Sequence, residues 1–62
     1  MKLKSIRQGK GMTQKALAKK AKMSMTYLCN VENDKRMNPS LNTLRRLAKA
    51  LQVRVRDLVA DE

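Results

Sequence analysis

Histidine, tryptophan and phenylalanine are absent from this 62-residue chain, and cysteine, tyrosine and proline each occur once. Without histidine, the commonest general base and the commonest metal ligand are missing. A lone Cys29 excludes an intramolecular disulfide and a cysteine metal cluster, and it suits a reducing compartment. Gly9 and Gly11 are the only glycines, so there is no glycine-rich loop to cradle a phosphate. No Ser or Cys stands near a base, and no two carboxylates are paired in one predicted site. The chain is therefore expected to be no enzyme and to need neither metal nor cofactor. Acidic residues are scarce as well. Five Asp plus Glu face 15 Lys plus Arg, a formal net charge of +10. Three of those acids, Asp57, Asp61 and Glu62, lie in the last six residues, so residues 1–56 carry 15 basic and only two acidic side chains. Such a field repels copies of the protein and attracts polyanions.

Size sets the next bound. Sixty-two residues make a single domain, 1–62. A chain this short buries only about 60% of the surface exposed by its unfolded form. It has no room for both a core and a deep substrate cavity, and local helical packing is the economical solution. The basic start Met1-Lys2-Leu3-Lys4 is followed by no apolar run. Neither a signal peptide nor a membrane span is expected.

Strand signals are poor: Val53-Arg54-Val55 is the only short alternation. Helix signals are good. Leu3 and Ile6 lie three apart in a segment that Gly9 and Gly11 should end. Thr13 then caps a helix from Gln14 to about Ala21, and Met12 and Leu17 stand in a hydrophobic-staple relation. Leu17, Ala18 and Ala21 share one face. Ser24 caps a third helix, Met25 to about Glu32, stapled by Met23 and Leu28 and burying Leu28 and Val31. About three residues separate these two helices. That is too few for a side-by-side antiparallel pair, and it suits a steep crossing. Residues 33–38 form a polar, basic loop. Pro39-Ser40 opens a fourth helix with the stripe Leu41, Leu44, Leu47, Ala48 and Leu51. Val53 to Val59 forms a short fifth, with Val55, Leu58 and Val59 available for packing. The fold class is all-α, a compact bundle of about five short helices.

Five pieces of this chain, in order, carry a resemblance. They are Leu-Lys-Ser-Ile-Arg (3–7), Met-Thr-Gln-Lys-Ala-Leu-Ala (12–18), Met-Ser-Met-Thr-Tyr-Leu-Cys-Asn-Val-Glu-Asn (23–33), Asn-Pro-Ser-Leu-Asn-Thr-Leu (38–44) and Leu-Ala-Lys-Ala-Leu (47–51). From Leu3 to Val59 the chain resembles the lambda-repressor-like, or Cro-type (XRE), helix-turn-helix family. The resemblance implies five short helices with the helix-turn-helix at helices two and three, and helix three (24–32) in the DNA major groove. It implies base contacts from Met25, Thr26 and Asn30, with Cys29 close by. It implies phosphate contacts from Gln14, Tyr27, Asn33, Lys35 and Arg36. Arg7 and Glu32 match an ion pair that ties helix one to the end of helix three. The chain departs from the pattern at Lys22 and Asp34, where glycine is usual, and at Arg54, where a capping Ser or Asp is common. A left-handed Lys22 would cost about 1 kcal/mol more than glycine. Helix five is expected to start irregularly or to fray.

Each implied role has a chemical counterpart. Asn30 can pair bidentately with adenine, Thr26 can donate to a base or touch a thymine methyl, and Met25 can touch only the methyl or exclude water. Gln14 opens helix two, where free N–H groups favour a phosphate. Tyr27 could pack on helix two or donate to a phosphate. Cys29 reads as a packing or groove-lining residue before a redox sensor. Lys19, Lys20 and Lys22 read as a solvated face, and Arg45 and Arg46 as electrostatic field. The expected function is sequence-specific binding of double-stranded DNA by a cytoplasmic, nucleoid-associated transcriptional regulator, a repressor. A homodimer should be weak or form only on DNA, through Val55, Leu58 and Val59 unless these simply close the core. The rival reading is a protein-interaction module of the same fold, an antitoxin or a transcriptional adaptor. RNA or membrane-surface binding is the other: only Tyr27 could stack on RNA bases, and the apolar faces suffice only for a core.

Overall fold

The structure is a computed structural model that describes residues 2–33 and 39–59. Every regular element among the described residues is a helix: α1 Leu3–Gly9, α2 Gln14–Lys20, α3 Met25–Asn33, α4 Leu41–Leu51 and α5 Val55–Val59. Here α2 packs on both α3 and α4, and α5 packs on α4 and α1. The backbone N–H of Lys2 donates to the Leu58 carbonyl at 2.7 Å, which fastens the start of the chain to α5.

The four helices α2 to α5 start where a short side chain or a carboxylate occupies a free N–H group at the helix start, whereas α1, which follows Lys2, has no side-chain cap. The Thr13 hydroxyl accepts from the Ala16 N–H at 3.1 Å, and the Ser24 hydroxyl from the Tyr27 N–H at 3.0 Å. Ser40 does the same for Thr43 at 3.2 Å. At α5 the expected irregularity is absent. The Arg54 side chain supplies no cap, but the Arg54 N–H donates to the Asp57 carboxylate at 3.0 Å, the back-bonding half of a capping box. The helix then begins at Val55, two residues later than its apolar pattern suggested.

The three joints that lie wholly within the described residues are built alike. The residues Gly11, Lys22 and Gln52 all have left-handed backbone, with φ of 70°, 59° and 58°. At each, the next residue sends its N–H back five positions: Met12 to Arg7 at 3.1 Å, Met23 to Ala18 at 2.9 Å, Val53 to Ala48 at 2.9 Å. This is the Schellman closure, which satisfies carbonyls that the helix end leaves open. The same apolar residue then packs against the core and stands one position ahead of the next helix's cap. A left-handed residue, an apolar pin and a cap thus turn the chain from one helix into the next within three residues.

Six leucines, at least one from every helix, are completely buried: Leu3, Leu17, Leu28, Leu47, Leu51 and Leu58. Smaller residues fill the gaps between them: Ala18, Ala21, Val31, Ala48 and Ala50. Two expectations need correction. Leu41 is 55% exposed, because α4 enters the core gradually: Leu44 is half-buried and only Leu47 is covered. Ala50, outside the expected stripe, is buried instead. Leu58 closes the core of its own chain and is not free to form a dimer surface. Val55 is half-buried against that core, and Val59 alone of the three is exposed, at 47%.

The shared joint makes a stability test. A Cβ at Gly11 would meet no neighbour within 4 Å, so any penalty there is backbone strain alone. Lys22→Gly and Gln52→Gly are each expected to stabilise the fold by about 1 kcal/mol, a rise of roughly 4–8 °C in Tm for a domain this small. Gly11→Ala should lower stability by a similar amount. Thermal unfolding followed by circular dichroism measures all three.

Candidate nucleic-acid interface

The rear of α3 is held by a buried carboxylate. Glu32 sits in the last turn, and its side chain is 0% exposed. Arg7 from α1 donates to it twice, Nε to Oε2 at 2.7 Å and a terminal nitrogen to Oε1 at 3.2 Å. The other terminal nitrogen of Arg7 donates to the Met12 carbonyl at 2.7 Å, in the joint between α1 and α2. Gln14, the first residue of α2, donates Nε2 to Oε1 of the same carboxylate at 3.0 Å. No buried polar side-chain atom among the described residues lacks a partner. A desolvated charge this well satisfied costs little to keep and a great deal to break. The Arg7–Glu32 pair expected from the sequence is present. The Gln14 bond had no sequence signal, because nothing in the chain marks residues 14 and 32 as neighbours.

The front of α3 is open. Met25 is 52% exposed, Thr26 and Asn30 are exposed, and Cys29 is half-buried. At about 100° per residue these four side chains occupy an arc of roughly 140°, from Met25 through Cys29 and Thr26 to Asn30. Leu28 and Val31, both fully buried, and the Glu32 carboxylate lie outside that arc. The four expected base-contact residues therefore share one outward face. Their arrangement follows from helical spacing once Leu28 and Val31 are anchored.

The expected phosphate contacts fall less uniformly. Gln14 is half-buried with one N–H already given to Glu32, which leaves the second N–H of its amide. Tyr27 packs its ring against the core. Asn33 is exposed, but its Nδ2 bonds back to the Cys29 carbonyl at 3.0 Å and to Cys29 Sγ at 3.3 Å. Lys35 and Arg36, like the departure at Asp34, lie outside the described residues. Exposed cations stand on the other helices and joints, among them Lys15, Lys19, Lys20 and Lys22 at α2, and Arg45, Arg46 and Lys49 on α4. Lys20, Lys22, Arg46 and Lys49 line a groove floored by Ala21 and Ala50. Among the described residues no helix is long and apolar enough to cross a membrane, and no cluster of three metal-binding side chains occurs.

A helix-turn-helix family model matches residues 3–58. The chain is 45% identical over 60 residues to an immunity repressor protein of Bacillus phage phi105, covering 97% of this chain and 41% of that protein. It is 40% identical over 57 residues to the HTH-type transcriptional regulator DdrOP3 of Deinococcus deserti, covering 92% of this chain and 43% of the relative. The chain thus spans about two fifths of the length of both relatives. No solved structure matches it significantly.

The buried carboxylate yields a sharp test. Removing one partner of such a pair costs about 3–5 kcal/mol, while a domain of this length has about 3–9 kcal/mol in all. Arg7→Ala is therefore expected to lose about a third or more of the stability of the fold. Arg7→Met combined with Glu32→Leu should recover much of the loss. Urea denaturation of the three proteins decides it: a double variant no more stable than the single one would mean the charges themselves are needed.

Proposed function

Because this chain belongs to the helix-turn-helix family, whose model it matches over nearly its whole length, we propose that it binds double-stranded DNA sequence-specifically and represses transcription. The observation that carries this reading is the two-sided build of α3. Its rear is clamped to α1 and α2 through Glu32, and its front presents Met25, Thr26, Cys29 and Asn30 to solvent. A helix held at a fixed angle with an uncommitted face is what major-groove recognition needs. The repressor and regulator names of the relatives support the same reading.

In this reading α3 enters the major groove and Asn30 reads a base edge. Gln14 offers its remaining N–H to a phosphate, with Tyr27, Asn33, Lys35 and Arg36 as further backbone contacts. The exposed lysines and arginines of α2 and α4 supply the sequence-independent attraction. One such domain reads few base pairs, so a weak homodimer assembling on two half-sites about one helical turn apart completes the operator complex. The protein acts in the cytoplasm, on the nucleoid.

Selection from a random duplex library at near-physiological salt is the direct test. The expected product is a short motif, arranged as an inverted repeat with half-sites about 10 bp apart. On that motif Asn30→Ala should weaken binding by about 1–3 kcal/mol, roughly 5- to 150-fold. On a scrambled duplex it should change nothing. If binding persists at low salt while no motif is enriched, the charge is only a non-specific grip and the operator model fails.

A further inference from the structure

The reading face of α3 is electrically neutral. From Met25 to Asn33 the helix contains no lysine, arginine or aspartate. Its one carboxylate, Glu32, is fully buried and bonded to Arg7 and Gln14. What remains on the exposed arc is a thioether at Met25, a hydroxyl and methyl at Thr26, a thiol at Cys29 and a carboxamide at Asn30. The Asn33 amide is turned back onto Cys29.

This inventory discriminates among base pairs. Guanine is read in the major groove by arginine or lysine at O6 and N7, and cytosine by a carboxylate at its N4 amino group. The face has none of these. Adenine is read by an asparagine or glutamine carboxamide, and thymine through its 5-methyl group by apolar side chains. The face has one such carboxamide and three apolar or sulfur groups. Met25 offers no hydrogen-bond donor to any base edge and the Cys29 thiol only a weak one, whereas the thymine methyl gives each an apolar contact that a G·C pair lacks. Met25 and Asn30 are five residues apart, about 7.5 Å along the axis, or roughly two base-pair steps. Resting on the DNA-binding reading above, we propose that the base pairs beneath α3 are A·T pairs. Met25 and the Thr26 methyl read thymine methyl groups at one end, and at the other the Asn30 carboxamide reads an adenine with Cys29 beside it against a thymine methyl.

Two measurements on the selected motif test this. The first is its composition: two or three consecutive A·T pairs in the core of each half-site are expected. The second replaces the thymidines of that core with deoxyuridine, which keeps the pairing and removes only the methyl. Binding should weaken by about fourfold for each contacted methyl. Met25 is half-exposed, so Met25→Ala should leave the fold intact; it should weaken binding to the thymidine duplex but add little loss on the uridine duplex. A motif with a G·C core, or one whose binding ignores uridine substitution, overturns the proposal while leaving operator binding standing. Failure to enrich any motif overturns both.

Discussion

The Glu32 carboxylate lies where α1, α2 and α3 converge, and solvent does not reach it. Burying a charge costs several kcal/mol unless every lone pair is answered. Here the answers come from Arg7, which also reaches the Met12 carbonyl, and from Gln14. One side chain thus couples the C-terminal turn of α1, the first residue of α2 and the last turn of α3. The tilt of α3 against the rest of the molecule is set by these short, directional contacts. Leucine packing alone would tolerate a wider range of angles.

The same economy shows in the joints. The three joints that the structure describes in full reuse one device. The left-handed residue ends one helix, the following apolar residue plugs the core, and the next residue or its first-turn carboxylate starts the following helix. Only Gly11 adopts the left-handed form without strain. Lys22 and Gln52 accept about 1 kcal/mol each, offset by two carbonyl hydrogen bonds and a half-buried apolar pin. At Lys22 the strained position also carries a charge three residues ahead of α3. That placement gives one reason for a lysine where glycine would be more stable.

Charge and reading are divided between elements. The positive field stands on α1, α2, α4 and α5, whereas the surface of α3 is neutral. Long-range attraction to a polyanion is therefore independent of the side chains proposed to touch bases. On the proposed DNA-binding reading, variation of the α3 face changes specificity with little change in overall affinity, because phosphate contacts dominate affinity in such complexes.

The sequence by itself determined the parts. Thr13, Ser24 and Ser40 marked the helix starts, Met12 and Met23 marked the staples, and the leucine spacing marked the buried faces. All of these are interactions within about five residues, so a local pattern expresses them fully. The outward arc of Met25, Thr26, Cys29 and Asn30 was legible for the same reason: once Leu28 and Val31 face inward, helical geometry leaves no choice. The resemblance supplied the Arg7–Glu32 pair. The bond from Gln14 to Glu32 and the exposure of Leu41 were not legible, and the choice between core and dimer surface for Leu58 was open. Each depends on how far one helix overlaps another, and that overlap is settled only when five short helices compete for one small core. Local chemistry chose the helices and their faces, and the shared interior then decided which apolar residues were covered and which polar groups met.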